Sequence, residues 1–314
     1  MKKPKLALVG IGKIALDQHL PSIADTGLFD LIGVVSQRGI AVPGVPTFRT
    51  QRELFANLPE VEAIANCTPP HIRFDLAIEA LEAGKHLLIE KPPTASIAEL
   101  DHIVRAANRQ KRTLFATWHS RFNAGVEQAG AILRVRPAKG VMVTWKEDVR
   151  RWHPGQDWVF QAGGFGVFDP GINALSIVTG ILPYPVFVNQ ANLYFPANRA
   201  MPIAADLQLR GPAGSGLTNG ATCAFEWRQS GEQTWTIAAD LHDGGKLELT
   251  HGGTRLWVDG VAKVTEPDSE YRRIYRRFHE LLLAEHSDVD ASPLQIVADA
   301  FLQGTRHEVE AFNW

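Results

Sequence analysis

Four clusters of residues in the 314-residue chain have types and spacings that could do chemistry. The first is Gly10-Ile11-Gly12-Lys13-Ile14-Ala15, a G-x-G-x-x-A pattern that follows the apolar run Leu6–Val9 and opens a helical stretch. Its glycines permit a tight turn and the close approach of a pyrophosphate. The small third residue lets helix and strand pack closely, and the helix N-terminus offers N–H donors to phosphate. The second is Ser36-Gln37-Arg38, which follows the apolar run Leu31–Val35. Dinucleotide sites for NAD usually place an acid there, to bond the ribose 2′-hydroxyl. This chain has none, and Asp30 lies at the wrong end of the run. Ser36 and Arg38 can instead donate to a 2′-phosphate. NADP is therefore the expected cofactor, with NAD tolerated because nothing repels it. The third is Glu90-Lys91-Pro92-Pro93, placed directly after the run His86–Ile89. In open α/β sheets ligands bind beyond the carboxyl ends of the strands, so Lys91 is expected beside the nicotinamide ring. The prolines fix the direction of its stem. A partly desolvated amine beside a cationic ring favours losing its proton, and can act as a base or polarise a substrate oxygen. The fourth is Asp169 with Asn173, four residues apart and so on one face of a helix. Asp169 before Pro170 equally fits a helix N-cap with proline at the next position. The residues alone leave cap and catalysis open.

Such groups need a scaffold, and the first third of the chain alternates in a way that supplies one. Strand-like runs at Leu6–Val9, Leu31–Val35, Val61–Asn66, His86–Ile89 and Thr113–Trp118 are separated by helical stretches, of which Phe74–Ala83 and Ile97–Arg109 are the clearest. Parallel strands need covering crossovers, so this predicts an open doubly wound sheet over residues 1–120. Thr68, Pro69, Pro70 and His71, just past Val61–Asn66, are expected to line the cofactor together with Glu90 and Lys91. Residues 121–314 read differently. After a helix near 122–134 come period-two runs at Val141–Trp145, Val186–Phe195, Ala205–Leu209, Ala221–Trp227, Thr234–Ala239, Lys246–Thr250 and Arg255–Val258. Glycine-rich turns separate the last of these, which predicts a large, mainly antiparallel open sheet in an α+β domain. Helices are expected near 170–179, 271–285 and 293–309, with Asp268-Ser269 and Ser292-Pro293 as starts. The last helix, about 293–310, is free to pack back on the first domain.

Composition narrows the function. There are 32 basic and 34 acidic residues, a net charge of -2, which gives no reason to expect nucleic acid or an anionic membrane as partner. No apolar stretch approaches the roughly 20 residues of a membrane span. The basic and apolar opening lacks the apolar core of a signal peptide and reads as the first strand. Cys67 and Cys223 are far apart and not in a metal-ligand spacing, so no metal is expected and a reducing cytoplasm is the plain location.

Three features together, the N-terminal G-x-G-x-x-A, the E-K-P after a strand and the antiparallel second half, resemble the Gfo/Idh/MocA oxidoreductases. Within that family they are most similar to the bacterial NAD(P)-dependent aldose 1-dehydrogenases acting on L-arabinose and D-galactose. The resemblance covers essentially the whole chain and is dense at Gly10–Ala15, Ala116–Arg121, Trp145–Gly155 and Gly166–Ser176. It implies oxidation of an aldopyranose at C1 to the aldonolactone by hydride transfer, with Lys91 as base and Asp169 as partner or relay. It implies a substrate site formed by His119, Glu147, Trp152 and Asn173, with Trp235 as a second stacking surface. Sugars are commonly held by carboxylate and amide hydrogen bonds and by an aromatic face. Many family members have histidine where this chain has Asn173, so that position orients hydroxyls rather than taking a proton. A homodimer packed through the broad sheet face is also in keeping with the family. The rival expectations are a non-catalytic NADP- or sugar-sensing regulator on the same fold, and a dehydrogenase for another substrate such as inositol or a nucleotide sugar.

Overall fold

The computed structural model describes residues 2–266 and 269–314. The elements begin with β1 (Lys5–Val9), α1 (Leu20–Thr26), β2 (Asp30–Val35), β3 (Thr47–Phe48), α2 (Gln51–Asn57), β4 (Ala63–Asn66), α3 (Pro70–Glu82), β5 (His86–Ile89), α4 (Ile97–Gln110) and β6 (Leu114–Ala116). They continue with α5 (Val126–Val135), β7 (Ala138–Lys146), α6 (Val149–Trp152), α7 (Phe168–Ile181), β8 (Phe187–Pro196), β9 (Ala204–Arg210), β10 (Ala221–Glu226) and β11 (Thr234–Leu241). The last are β12 (Lys246–Thr250), β13 (Arg255–Val258), β14 (Val261–Thr265), α8 (Glu270–Ala284), α9 (Ser292–Gln303) and β15 (Thr305–Val309). The chain separates into two compact units, one of residues up to His119 with Glu270–Ala291, the other of Ser120–Ser269 with Ser292–Trp314.

The first unit is a parallel sheet in the order β3-β2-β1-β4-β5-β6. Its central strands are apolar on both faces: Leu6, Ala7, Leu8 and Val9 are all buried, as are Ala63, Ile64 and Ala65. Helices must then cover both sides, which is the doubly wound arrangement expected from the alternation. Strand order reverses at β1 and β4, which pair in parallel from Leu6–Ala63 to Val9–Asn66. The crevice for a ligand opens beyond the carboxyl ends of that pair. Two residues, Thr47 and Phe48, form the outer strand β3, too short to show any period.

One helix of this unit arrives from late in the chain. The buried stripe of α8, Tyr271, Ile274, Tyr275, Phe278 and Leu281, packs on α1, and Phe278 stacks on Phe29 at 5.6 Å between ring centroids. Beyond it Asp288 pairs with the sheet edge, its N–H donating to Leu114 O at 2.9 Å and its carbonyl accepting from Ala116 N at 3.0 Å. The returning helix is therefore α8, whereas α9 packs with the second unit against α7 and β8. Both are amphipathic, and the pattern does not say which core an apolar stripe will meet. Asp268, half of the expected start of α8, lies outside the described residues.

Among the described residues the second unit holds nine strands in the order β14-β13-β12-β11-β7-β10-β9-β8-β15. Neighbours are antiparallel except β7 with β10 and β8 with β15. Val143, Cys223 and Ile237 lie side by side across β7, β10 and β11 and are buried on the face that α5 and α7 cover. Met142 and Thr222, one residue away in register, point to the opposite face and are exposed. This is the alternation that identified these strands. The edges escaped it. Strand β14 has no buried residue, and β15 occupies 305–309, where the sequence suggests the end of a helix. Gly304 explains the difference: α9 stops before it, and its N–H closes the last turn on Ala300 O at 2.9 Å, after which Thr305–Val309 pairs with β8. Among the described residues no helix is long and apolar enough to cross a membrane.

Candidate active site

In the first unit the loop after β1 rests on the loop after β4. Gly10 has φ +92°, and a Cβ there would come within 2.8 Å of Thr68 Cγ2 and 2.9 Å of its backbone nitrogen. Only glycine accepts both that conformation and that approach. At Gly12 an added Cβ would meet nothing within 4 Å, so the backbone is open to a ligand there. Ile11 is buried beneath the loop and Ile14 is exposed, while Lys13 pairs with Asp17 along the outer face of the helical turn. At the end of β2 the buried Ser36 accepts Ile40 N–H on Oγ at 3.0 Å. Gln37 is exposed and its carbonyl accepts from Arg49 at 2.6 Å. The exposed Arg38 reaches back toward the glycine loop, with Nη2 3.5 Å from Ile11 O. Thr68 is buried, its N–H and Oγ1 both held by Asn66 Oδ1 at 3.1 and 2.6 Å. Pro69 and His71 are exposed at the start of α3. A left-handed glycine, an open backbone beside it and a guanidinium over the loop form a donor set that fits a dinucleotide.

Glu90 and Lys91 follow β5, and here the side chains diverge. Glu90 turns inward and is 4% exposed. Its Oε1 takes His19 Nε2 at 3.1 Å and the Tyr271 hydroxyl at 3.0 Å, and its Oε2 takes the N–H of Lys91 at 3.0 Å. His19 is completely buried, and its Nδ1 lies 2.7 Å from the Tyr275 hydroxyl. A π-helical turn over Ala15–His19 precedes α1 and delivers that imidazole to the interior. Burial disfavours a charged His19, but the neighbouring Cys67 sulfur and Glu90 carboxylate outweigh it and raise its pKa. Burial likewise works against a charged Glu90, and the contacts with His19 more than offset it, holding the carboxyl below its usual range. They form a buried ion pair. The buried guanidinium of Arg73 donates to the carbonyls of Thr68, Glu90 and Pro92, which ties the corner to α3. The Lys91–Pro92 peptide is cis. Half-buried Lys91 is thus set on a backbone pinned from three sides. His119, after β6, is bonded through Nδ1 to Glu270 at 2.6 Å. Burial opposes its charge, and the Glu270 carboxylate prevails and raises its pKa.

The second unit brings together most of the residues expected at a sugar. Glu147, just past β7, is 8% exposed. Its two oxygens are held by indole N–H groups, Oε1 by Trp227 at 3.1 Å and Oε2 by Trp235 at 3.0 Å. Burial raises its pKa, the two indole donors pull the other way, and the charge of Asp169 adds to the rise. Trp152, at the end of α6, is 37% exposed and meets Trp235 edge-on at 5.9 Å. Asp169 sits in the first turn of α7 and is not its N-cap: that place belongs to Val167, with no side-chain capping bond. The capping reading therefore falls away. Its carboxylate instead lies 3.1 Å from His153 Nε2. Asn173 is half-buried one turn further along α7.

Several of these partners carry no signal in the sequence. His19 stands nine residues past Gly10 in a stretch that reads as ordinary helix, and Arg73 and Trp227 are single residues inside a helix and a strand run. His153 adjoins Trp152 in the polar stretch Lys146–Gly155, where spacing points to neither. Each is found only through what it touches.

Residues 5–117 match the GFO_IDH_MocA oxidoreductase family, described by its NAD-binding Rossmann fold. Galactose 1-dehydrogenase of Pseudomonas fluorescens is 42% identical over 312 residues, 99% of each chain. A D-galactose-1-dehydrogenase protein from Rhizobium etli has a crystal structure that matches with a TM-score of 0.94 at 49% identity, covering 100% of this chain and 99% of that one. A 3-ketoreductase from Actinomadura kijaniata, solved with NADP, shares the fold at a TM-score of 0.82 and 16% identity, over 98% of this chain and 100% of that one. With the glycine cradle, the lysine corner and full-length likeness in agreement, this chain is an NAD(P)-dependent oxidoreductase and belongs to the Gfo/Idh/MocA family.

Proposed function

We propose that this protein oxidises an aldopyranose, D-galactose or L-arabinose, at C1 to the aldonolactone, with NADP preferred over NAD. The observation that carries the substrate class is the 42% identity to a galactose 1-dehydrogenase over 99% of both chains. When bound, the dinucleotide supplies the hydride acceptor, C4 of its nicotinamide ring. The residues supply position and proton transfer. Arg38 and Ser36 donate to the 2′-phosphate. Lys91 takes the O1 proton as the C1 hydrogen departs with its electron pair, so that the C1–O1 bond becomes the lactone carbonyl. Asp169 is assigned to orienting O1 or relaying the proton. Glu147 accepts ring hydroxyls, Asn173 and His119 orient others, and Trp152 with Trp235 offers an aromatic face to the C–H face of the sugar. The carboxylate held by two indoles beside a half-exposed tryptophan supports this assignment in the second unit.

The same reading includes a homodimer through the open face of the nine-stranded sheet, supported by Met142 and Phe187, which are 57% and 42% exposed. It includes a cytoplasmic location, supported by two cysteines that are both free.

The test is NAD(P)H formation at 340 nm with D-galactose, L-arabinose, D-glucose and myo-inositol, each with NADP and NAD. Turnover of galactose or arabinose with a higher kcat/KM for NADP is expected. Turnover of inositol alone, or of none of them, overturns the substrate; a clear NAD preference overturns the cofactor choice. Light scattering decides the dimer.

A further inference from the structure

The segment that carries Trp152 and His153 is held from outside by residues far along the chain. Asp157, at its turn, accepts two bonds on Oδ1, one from Arg199 Nη1 at 2.7 Å and one from Trp314 Nε1 at 2.7 Å. The Arg199 guanidinium lies over three rings, 5.4 Å from the centroid of Phe160, 6.0 Å from Phe312 and 5.9 Å from Trp314. Its Nε also donates to Phe312 O at 3.2 Å. Next to it, Asn198 bonds Phe312 in both directions, Nδ2 to the carbonyl at 3.0 Å and Oδ1 from the N–H at 2.9 Å. Residues 312–314 thus lie as a strap across the 157–160 turn, with Arg199 as its buckle.

Two chains of contact lead inward from the strap. One is aromatic: Phe312 packs on Phe160 at 5.5 Å, Phe160 on Trp227 at 5.4 Å, and Trp227 Nε1 holds Glu147. The other is polar: Gln156, next to Asp157, accepts from Trp158 Nε1 at 3.1 Å, and its Oε1 lies 3.3 Å from His153 Nδ1, whose other nitrogen meets Asp169. Both end on carboxylates assigned above to the sugar. Phe312 is buried, while Trp314, 38% exposed, sets its indole on the exposed Asp157. Asp157 is 56% exposed and its partner Arg199 only 16% exposed, so removing the aspartate side of the pair should cost little global stability, loosen the segment locally and leave the domain folded.

We propose that Arg199, Phe312 and Trp314 are positioning residues for the sugar site: the strap holds residues 152–160 so that Glu147, His153 and Asp169 keep the spacing an aldose requires. The inference rests on the functional reading above. It is tested with Trp314→Ala, Arg199→Ala and, on the exposed turn itself, Asp157→Ala, with Arg199→Lys as the conservative variant. The expected result is a rise in KM for galactose of about tenfold, a factor worth ~1.4 kcal/mol, with KM for NADP unchanged throughout and, for Asp157→Ala, an unchanged melting temperature. Trypsin should cut faster after the exposed Arg150 and Arg151, galactose should slow the cut, and Arg199→Lys should recover part of both effects. Variants with wild-type KM and wild-type trypsin rates overturn the proposal, as does an equal rise in both KM values. A wild-type protein that turns over no aldose overturns the functional reading instead, and the trypsin rates without sugar then still report whether the strap holds the segment.

Discussion

Lys91 stands on a backbone fixed by neighbours that hardly reach solvent. Glu90 holds its N–H, Arg73 holds the carbonyls on either side, and His19 neutralises the carboxylate beneath. The proposed role of Lys91 as base makes it dispensable for binding and indispensable for turnover. Lys91→Ala is expected to lower kcat by about 100-fold or more while fluorescence titration shows NADP still bound. A fall of less than about tenfold, ~1.4 kcal/mol of barrier, would remove Lys91 from that role. Arg38→Ala should weaken NADP by about tenfold, the worth of one charge-assisted bond, and leave NAD binding alone; equal losses would mean that the guanidinium does not meet the 2′-phosphate. The buried pair makes a prediction about pH. His19 has a raised pKa in the folded protein, so the folded state binds the proton more tightly than the unfolded chain. The stability this gives is complete below 6.5, the ordinary value, and is lost as pH rises above it. The melting temperature should therefore decline above that pH, and His19→Asn, which keeps a donor for Glu90 without the charge, should remove this part of the decline. His19→Ala should cost ~3 kcal/mol or more in urea denaturation, because it leaves a buried carboxylate without its cation.

Elements turn these residues into a site by where they begin and end. The π-helical turn before α1 adds a residue to the helical repeat, and His19, buried at its end, meets Glu90 as a result. Helix α4 begins six residues beyond Lys91 with a capping box: Ser96 Oγ accepts Glu99 N–H at 3.3 Å, and Glu99 Oε2 accepts Ser96 N–H at 3.2 Å. Thr94 Oγ1 adds a bond to Ser96 O at 2.7 Å. The lysine corner is therefore anchored at both ends, by β5 and by this cap. Ser96→Ala should cost ~1 kcal/mol in urea denaturation with little change in KM for either substrate. A loss near zero would mean that α4 is held by packing alone. In the second unit the start of α7 does the comparable work. Its first turn carries Asp169 to His153, and a carboxylate there is favoured by the N-terminal dipole of the helix.

At the scale of the molecule, the unit that carries the dinucleotide cradle is discontinuous in sequence. Helix α8 comes from residues 270–284 and supplies Tyr271 to Glu90 and Tyr275 to His19. A fragment ending at residue 120 has the whole parallel sheet but not this helix. Five buried side chains, Tyr271, Ile274, Tyr275, Phe278 and Leu281, at ~1.5–3 kcal/mol each, amount to roughly the entire stability of an ordinary domain. The isolated fragment 2–120 should therefore be unfolded or molten by circular dichroism and dye binding. The same fragment joined by a short linker to residues 270–291 should unfold cooperatively. A cooperative transition in the bare fragment would show that α8 is not needed.

The sequence by itself determined the elements and the kind of cofactor cradle. Both follow from local physics: strands covered on two faces are apolar throughout, half-covered strands alternate, and a phosphate turn needs glycine at set places. So the parallel sheet apart from β3, most of the antiparallel one and the lysine at the end of β5 were legible in the residues, and the resemblance added the substrate class. Short or exposed edge strands such as β3, β14 and β15 were not, because nothing buried marks them. Only the tertiary structure decided that Asp169 meets His153 rather than capping α7, that Glu90 faces inward to a cationic His19, and that α8 rather than α9 joins the first unit. Each of these is a contact between residues that the chain separates by 16 to 181 positions, and a periodic pattern, which shows that a face will be buried, carries no record of the partner it will meet.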